Sequence, residues 1–399
     1  MKKTTRIVLI GISLLLAFSV FSGISAAGSV PGVTDDTILI GGLMPLAGPL
    51  SMVGVAVRDG WQMAFDEVNE AGGINGRKIK VLWEDTSCVP SKGLAAIKKL
   101  ITRDQVFALA GGLCSNSIAP GVTIIEKAKV PYFTSHVSDP GITHPTKKYI
   151  FRAANIPGDY QGRSAAMLAV DFFHENKIGI LHVADEFGVS TRDGILEYLK
   201  KIKVAPTTAE AFNPGDPDYT AQLANLKNSG SKAVIIIAYP PDGAKIVVQA
   251  KKKGLKFLWI AAPPLGEPGF AAMAGDAAIG LVHVNPTDML VTDTHLPMMA
   301  KWREAFRKRI GETRGRPGPS ELMSYGAAQV FCEGLRMAGR DLTRERFVDS
   351  LESIKDFDKC ILGKISFSKD NHQGNIQSRF GVWLPNRKHS LLKFTVIGK

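Results

Sequence analysis

The stretch DEVNEAGGINGRKI, residues 66–79, holds the end of one element and the start of the next. Upstream of it Val57, Trp61, Ala64, Phe65 and Val68 form an apolar stripe, and their spacing predicts a helix over 55–71. Gly72 and Gly73 then supply the positive φ on which helices commonly close. Asn75-Gly76 is a hairpin-type turn, and the residues after it alternate as a strand over 78–84. The stretch is a helix-to-strand joint, and its role is structural.

The same grammar extends in both directions. Strands are predicted at 38–41, 106–110 and 130–134, with helices over 91–102 and 117–129. It then restarts, with strands at 178–183, 233–238 and 257–261 and helices over 190–201 and 242–253. Strands alternating with helices of this length imply parallel sheets covered on both faces. Two such runs make an α/β protein of two doubly wound lobes. After Asn285 the pattern is mainly helical, at 296–310, 320–338 and 343–354, with short strands near 365–367 and 380–383. No low-complexity linker or short repeat separates the runs.

Composition agrees with a folded, soluble chain: 399 residues, 45% hydrophobic and 22% charged, with mean hydropathy near zero. The formal charge of +12 does not argue for nucleic acid. The basic residues are scattered, and the densest runs, at 251–253 and 303–316, fall on or beside amphipathic helices as solvated faces. The chain opens with Lys2, Lys3 and Arg6, an apolar run over 7–21, and Ser25-Ala26-Ala27. That is the pattern of a secretory signal peptide over 1–27, too short for a spanning helix. Its removal takes away three positive charges and leaves 372 residues at +9.

Export frames the four cysteines, Cys88, Cys114, Cys332 and Cys360. An even count bound for an oxidising compartment, without CxxC or Cys/His metal spacing, points to structural disulfides and not to a metal. Of the three possible pairings, sequence proximity favours Cys88 with Cys114 and Cys332 with Cys360. No GxSxG, HExxH, GxxxxGK[ST] or GxGxxG occurs. The eight histidines are spread out, and His182 lies inside an apolar strand as a core residue would. No catalytic constellation and no cofactor site is expected, so the class is a binding protein, not an enzyme.

In open α/β sheets ligands collect beyond the carboxyl ends of the strands. Three loops fit: MPLAGPLS at 44–51, GGLCSNS at 111–117 and SHVS at 135–138. In the second, the Ser115 and Ser117 hydroxyls and the N–H groups around Asn116 sit at a helix start. That arrangement serves either a ligand carboxylate or simple N-capping.

GLMPLAGPLSMVG (42–54), the opening motif at 66–79, EDTSC (84–88), GGLCSNS and DPDYTAQL (216–223) together resemble the branched-chain amino acid (Leu/Ile/Val) type of periplasmic solute-binding protein. The resemblance covers essentially the whole mature chain. It implies the type I periplasmic binding fold, two Rossmann-like lobes joined by three crossovers and closing like a flytrap. One lobe would comprise 36–156 plus 287–376, the other 157–286 plus 377–399. It also implies a periplasmic monomer that hands its ligand to the membrane subunits of an ABC permease. A sensor of the same fold, feeding a receptor or regulator, is the alternative.

The resemblance also implies a site. Ser115 matches the family residue that holds the ligand carboxylate, with Asn116 beside it. Ser138 matches an assisting hydroxyl, and the backbone of His136 faces the ammonium group of an amino-acid ligand. Phe187 and Tyr239 match aromatics of the second lobe, and the family disulfide matches Cys88–Cys114. Two positions depart from the pattern. Pro263 stands nearest to the acidic partner of the ammonium, with Glu267 a substitute if its loop bends back. Met52 stands near the missing first-loop aromatic. A carboxylate-bearing ligand, either a branched-chain amino acid or an aromatic or aliphatic acid, is therefore expected among apolar neighbours.

Overall fold

A computed structural model describes residues 30–287, 296–311, 317–374, 376–392 and 394–397. The signal-peptide reading lies outside the described residues. Among the described residues thirteen strands build two sheets: β1 Thr37–Met44, β2 Lys78–Asp85, β3 Ala108–Gly111, β4 Tyr132–Thr134, β5 Ile150–Arg152, β6 Ile178–Val183, β7 Thr208–Phe212, β8 Ala233–Ile237, β9 Leu258–Ala261, β10 Val282–Asn285, β11 Gln377–Leu384, β12 Lys388–Leu391 and β13 Val396–Ile397. The first sheet is parallel, in the order β2-β1-β3-β4-β5. The second runs β12-β11-β10-β9-β8-β6-β7, with β13 beside β11; β7 to β10 are parallel with β6, and β11 and β12 are antiparallel additions.

The central strands of each sheet are buried on both faces, as their β-branched residues require, while the edge strands β2, β7 and β12 are partly exposed. Trp61, Phe65, Phe133, Phe331 and Phe347 pack one face of the first sheet, and Leu43, Leu100, Leu109 and Ile125 the other. The second sheet has its own core around Ile180, Ile236, Phe270 and Phe380. The helices Pro297–Ile310, Pro319–Ala338 and Arg344–Glu352 return to the core of the first sheet. The chain thus passes between the two cores after β5, after β10 and before β11.

The joint at 66–79 is built as its residues dictate. The helix Ser51–Glu70 ends before Gly72 and Gly73, at φ +104° and +87°. Asn75 and Gly76 both take positive φ between Ile74 and Arg77, which exchange backbone hydrogen bonds of 2.8 and 2.9 Å. That helix starts a turn earlier than its apolar stripe, because Gly54 in its first turn lies against Pro45; a Cβ there would sit 2.0 Å from the Pro45 carbonyl oxygen.

Other differences have local causes. The helix expected over 117–129 is broken into Ser115–Ile118, a 3-10 turn Ala119–Gly121 and Val122–Lys127. Pro120 lacks the N–H that a continuous helix needs there. The helix expected from 190 begins at Glu186, because Asp185 caps it by accepting from the Gly188 N–H at 2.9 Å. At 365–367 there is only a single bridge, Phe357 to Ile365.

The cysteine pairing is half corrected. Cys88 and Cys114 form a disulfide. Cys332 and Cys360 are buried free thiols. Cys332 lies within the helix Pro319–Ala338, while the Cys360 thiol donates to the Gly363 carbonyl at 3.3 Å. Burial pushes both thiols up to about 12.

Candidate ligand-binding cleft

Loops from the carboxyl ends of both sheets converge on one cavity of about 60 Å³. From the first sheet come Leu113 after β3, His136 and Ser138 after β4, and Asn155 after β5. From the second come Tyr239 after β8, Pro263 and Glu267 after β9, and His283 and Asn285 of β10. The starts of four helices complete it, with Val53, Gln161, Phe187 and Ser320.

The loop after β4 is held from behind. Arg152, fully buried, donates to the carbonyls of Val137 at 3.0 Å and Asp139 at 3.1 Å, and also to the Thr143 hydroxyl. Burial pushes its guanidinium down to about 10, against the pull of Asp139 and Asp159, so it stays cationic at neutral pH. The Asp139 N–H donates to Ser115 Oγ at 3.1 Å, and the Gly158 N–H to the Ser138 carbonyl at 2.7 Å. Asn155 donates to the His136 carbonyl at 2.7 Å. Ser138 therefore sits in a loop with little freedom to move.

Opposite lies an aromatic wall. The Phe187 and Tyr239 rings are 5.4 Å apart, and the Tyr239 hydroxyl donates to Asp185 at 3.1 Å. The Asp185 that caps the Phe187 helix thus also fixes Tyr239. Burial raises both groups above their ordinary values.

Two features give the cavity its polarity. Glu267 accepts from the Ser320 N–H at 3.0 Å and from the Ser320 hydroxyl at 2.6 Å. Burial nevertheless pushes its carboxyl up to about 7, against those two hydrogen bonds. His136 is pushed down to about 3 and His283 to about 4 by the same desolvation. At neutral pH both imidazoles are neutral, and the cavity presents hydrogen-bonding groups in an apolar shell. Among the described residues no group of three or more His, Cys, Asp or Glu could hold a metal ion.

Of the residues singled out in the sequence, His136, Ser138, Phe187, Tyr239 and Pro263 line this one cavity. Glu267, offered as a substitute, lines it too; the loop after β9 makes a 3-10 turn over Pro263–Gly266 that brings it back. Ser115 and Asn116 stand behind the wall. Ser115 Oγ is engaged by Asp139, and the Asn116 amide donates to the Cys88 carbonyl at 3.1 Å. Met52 is 56% exposed and lines a neighbouring groove beside Gly269. The sequence reading missed Asn155, Gln161, His283, Asn285 and Ser320. Gln161 opens the helix Gly158–Met167, whose polar first turn carries no apolar stripe; the others lie on elements remote from any motif.

The model of a family described as periplasmic binding protein matches residues 37–387. A leucine-, isoleucine-, valine-, threonine- and alanine-binding protein of Pseudomonas aeruginosa is 29% identical over 326 residues, covering 80% of this chain and 83% of that protein. The branched-chain amino acid transporter substrate-binding protein LivJ of Streptococcus pneumoniae, solved with isoleucine, has the same fold at a TM-score of 0.78 and 22% identity, covering 90% of this chain and 99% of that one. An ABC-transporter solute-binding protein of R. palustris, solved with benzoate, superposes at 0.79 with 17% identity, covering 89% and 95%.

Proposed function

The chain belongs to the periplasmic binding protein family, and on that premise we propose that it is the extracytoplasmic solute-binding component of an ABC importer. It takes a small carboxylate-bearing ligand between two lobes, one formed by 36–156 with 287–376 and the other by 157–286 with 377–399. The ligand bridges the lobes, favours their closed arrangement through contacts that only closure makes, and is passed to permease subunits in the membrane. The protein performs no chemistry and acts in the periplasm after loss of residues 1–27.

The reading rests on the makeup of the cavity. Ser138 and His136 form a neutral polar end, while Leu113, Val53, Phe187 and Tyr239 form apolar walls. Such a site fits an acid with a compact aliphatic or aromatic body. The relatives that bind leucine or isoleucine and the benzoate-bound neighbour support both kinds of acid. Glu267 separates them: an ammonium beside it would favour its carboxylate, whereas a simple acid would leave the carboxyl raised by burial.

A thermal-shift panel of benzoate, isovalerate, leucine and valine, each beside its carboxamide, tests this. The acids should raise the melting temperature and the amides should not. No shift from any acid would overturn the reading.

A further inference from the structure

We propose that the His136 side chain is a ligand-directed donor, held as its Nε2–H tautomer by a two-step hydrogen-bond relay from Trp61 through Ser135. The proposal deepens the carboxylate reading and rests on it. Trp61 and Ser135 are fully buried. The Trp61 indole can only donate, and it gives its proton to Ser135 Oγ at 3.2 Å. Ser135 Oγ lies 2.8 Å from His136 Nδ1.

Only one arrangement satisfies all three groups. With the Trp61 proton on one Ser135 lone pair, the Ser135 hydroxyl hydrogen goes to Nδ1, which must then be the bare, accepting nitrogen. The opposite tautomer would put two donors on Ser135 Oγ and strand its own hydrogen in a dry interior. The proton of the neutral imidazole is thereby placed on Nε2. That atom is buried and has no hydrogen-bond partner, on a residue that lines the cavity.

A buried donor without an acceptor is costly unless a ligand supplies one. Beside it Ser138 offers a hydroxyl to the same cavity. Together the two would supply one donor for each oxygen of a carboxylate. His136 meets the anion without carrying charge, in keeping with its desolvated, neutral ring. Trp61 and Ser135 are positioning residues: they do not line the cavity but fix which face of the ring is a donor.

Two measurements test this. Long-range ¹H–¹⁵N spectra of the histidine-labelled protein at neutral pH should give His136 the Nε2–H pattern, and Ser135→Ala should abolish its uniqueness. The Nδ1–H pattern in the wild type would overturn the proposal. Calorimetry with benzoate and leucine should show His136→Leu weakening binding roughly 10- to 100-fold, the range for a hydrogen bond to a charged group. His136→Gln, whose amide reaches a similar point, should recover most of that loss. It also controls for a merely structural role of the ring. A probe that binds wild type and His136→Leu equally would overturn the role of His136 alone. A wild type that takes neither probe would overturn the carboxylate reading and the ligand role with it, while the spectrum would still decide the relay.

Discussion

Glu267, on the loop after β9, accepts both the N–H and the hydroxyl of Ser320, in the first turn of the helix Pro319–Ala338. The carboxyl hangs from the second sheet, and the helix packs on the core of the first. A helix N-terminus favours a negative group, but desolvation wins and raises the carboxyl from 4.5 to about 7. A raised pKa in the fold means stability fully present below about 4.5 and lost as pH climbs through about 7. Glu267→Gln keeps an acceptor for Ser320 and removes the titration. Its unfolding free energy should gain on the wild type by about 2–3 kcal/mol between pH 5 and pH 8. Parallel curves for the two proteins in urea would show that Glu267 ionises freely.

Arg152 supports the ligand loop without touching the cavity. Arg152→Met leaves the carbonyls of Val137 and Asp139 and the hydroxyl of Thr143 without their donor. The loss should be roughly 3 kcal/mol in chemical denaturation, with a fall in ligand affinity as the Ser138 loop loosens. A cost below about 1 kcal/mol would mean that water replaces the guanidinium.

Two thiols are expected to titrate in the denatured, unreduced protein, from Cys332 and Cys360. Reducing the bridge between Cys88 and Cys114, 26 positions apart, should cost ~3–4 kcal/mol of stability. A titre of zero thiols would restore the second bridge that sequence proximity favours.

Phe187 and Met52 part company in the structure, and binding should separate them. Phe187→Ala removes an apolar wall and should weaken an acid ligand by ~1–2 kcal/mol. Met52→Ala, in the adjoining groove, should leave the dissociation constant within about twofold. Equal losses in isothermal titration would mean that the groove and the cavity act as one site.

These differences mark where the sequence is informative. The strand Ile178–Val183 is read to the residue, because Ile178, Ile180, Leu181 and Val183 in a run of six buried positions leave a strand little freedom. The broken helix around Pro120 is less visible, since its apolar stripe runs on through the break. In the site, loops that directly follow recognisable strands carry His136, Ser138 and Tyr239, and the topology of the sheet makes them legible. Gln161, His283 and Ser320 reach the cavity only because three distant segments fold onto one another, and nothing local signals it. Met52 shows the limit of carrying a position across a resemblance: a single residue step, about 100° around the helix, separates the exposed face from the cavity wall at Val53.

The antiparallel pairing of β10 with β11 sets Val282 against Val382, a hundred positions away. Until residues 377–384 have emerged, β10 has a bare edge and the second sheet is incomplete. Contacts this remote in sequence form late and slowly. On the export proposed above, that delay would keep the chain threadable until nearly all of it has been made.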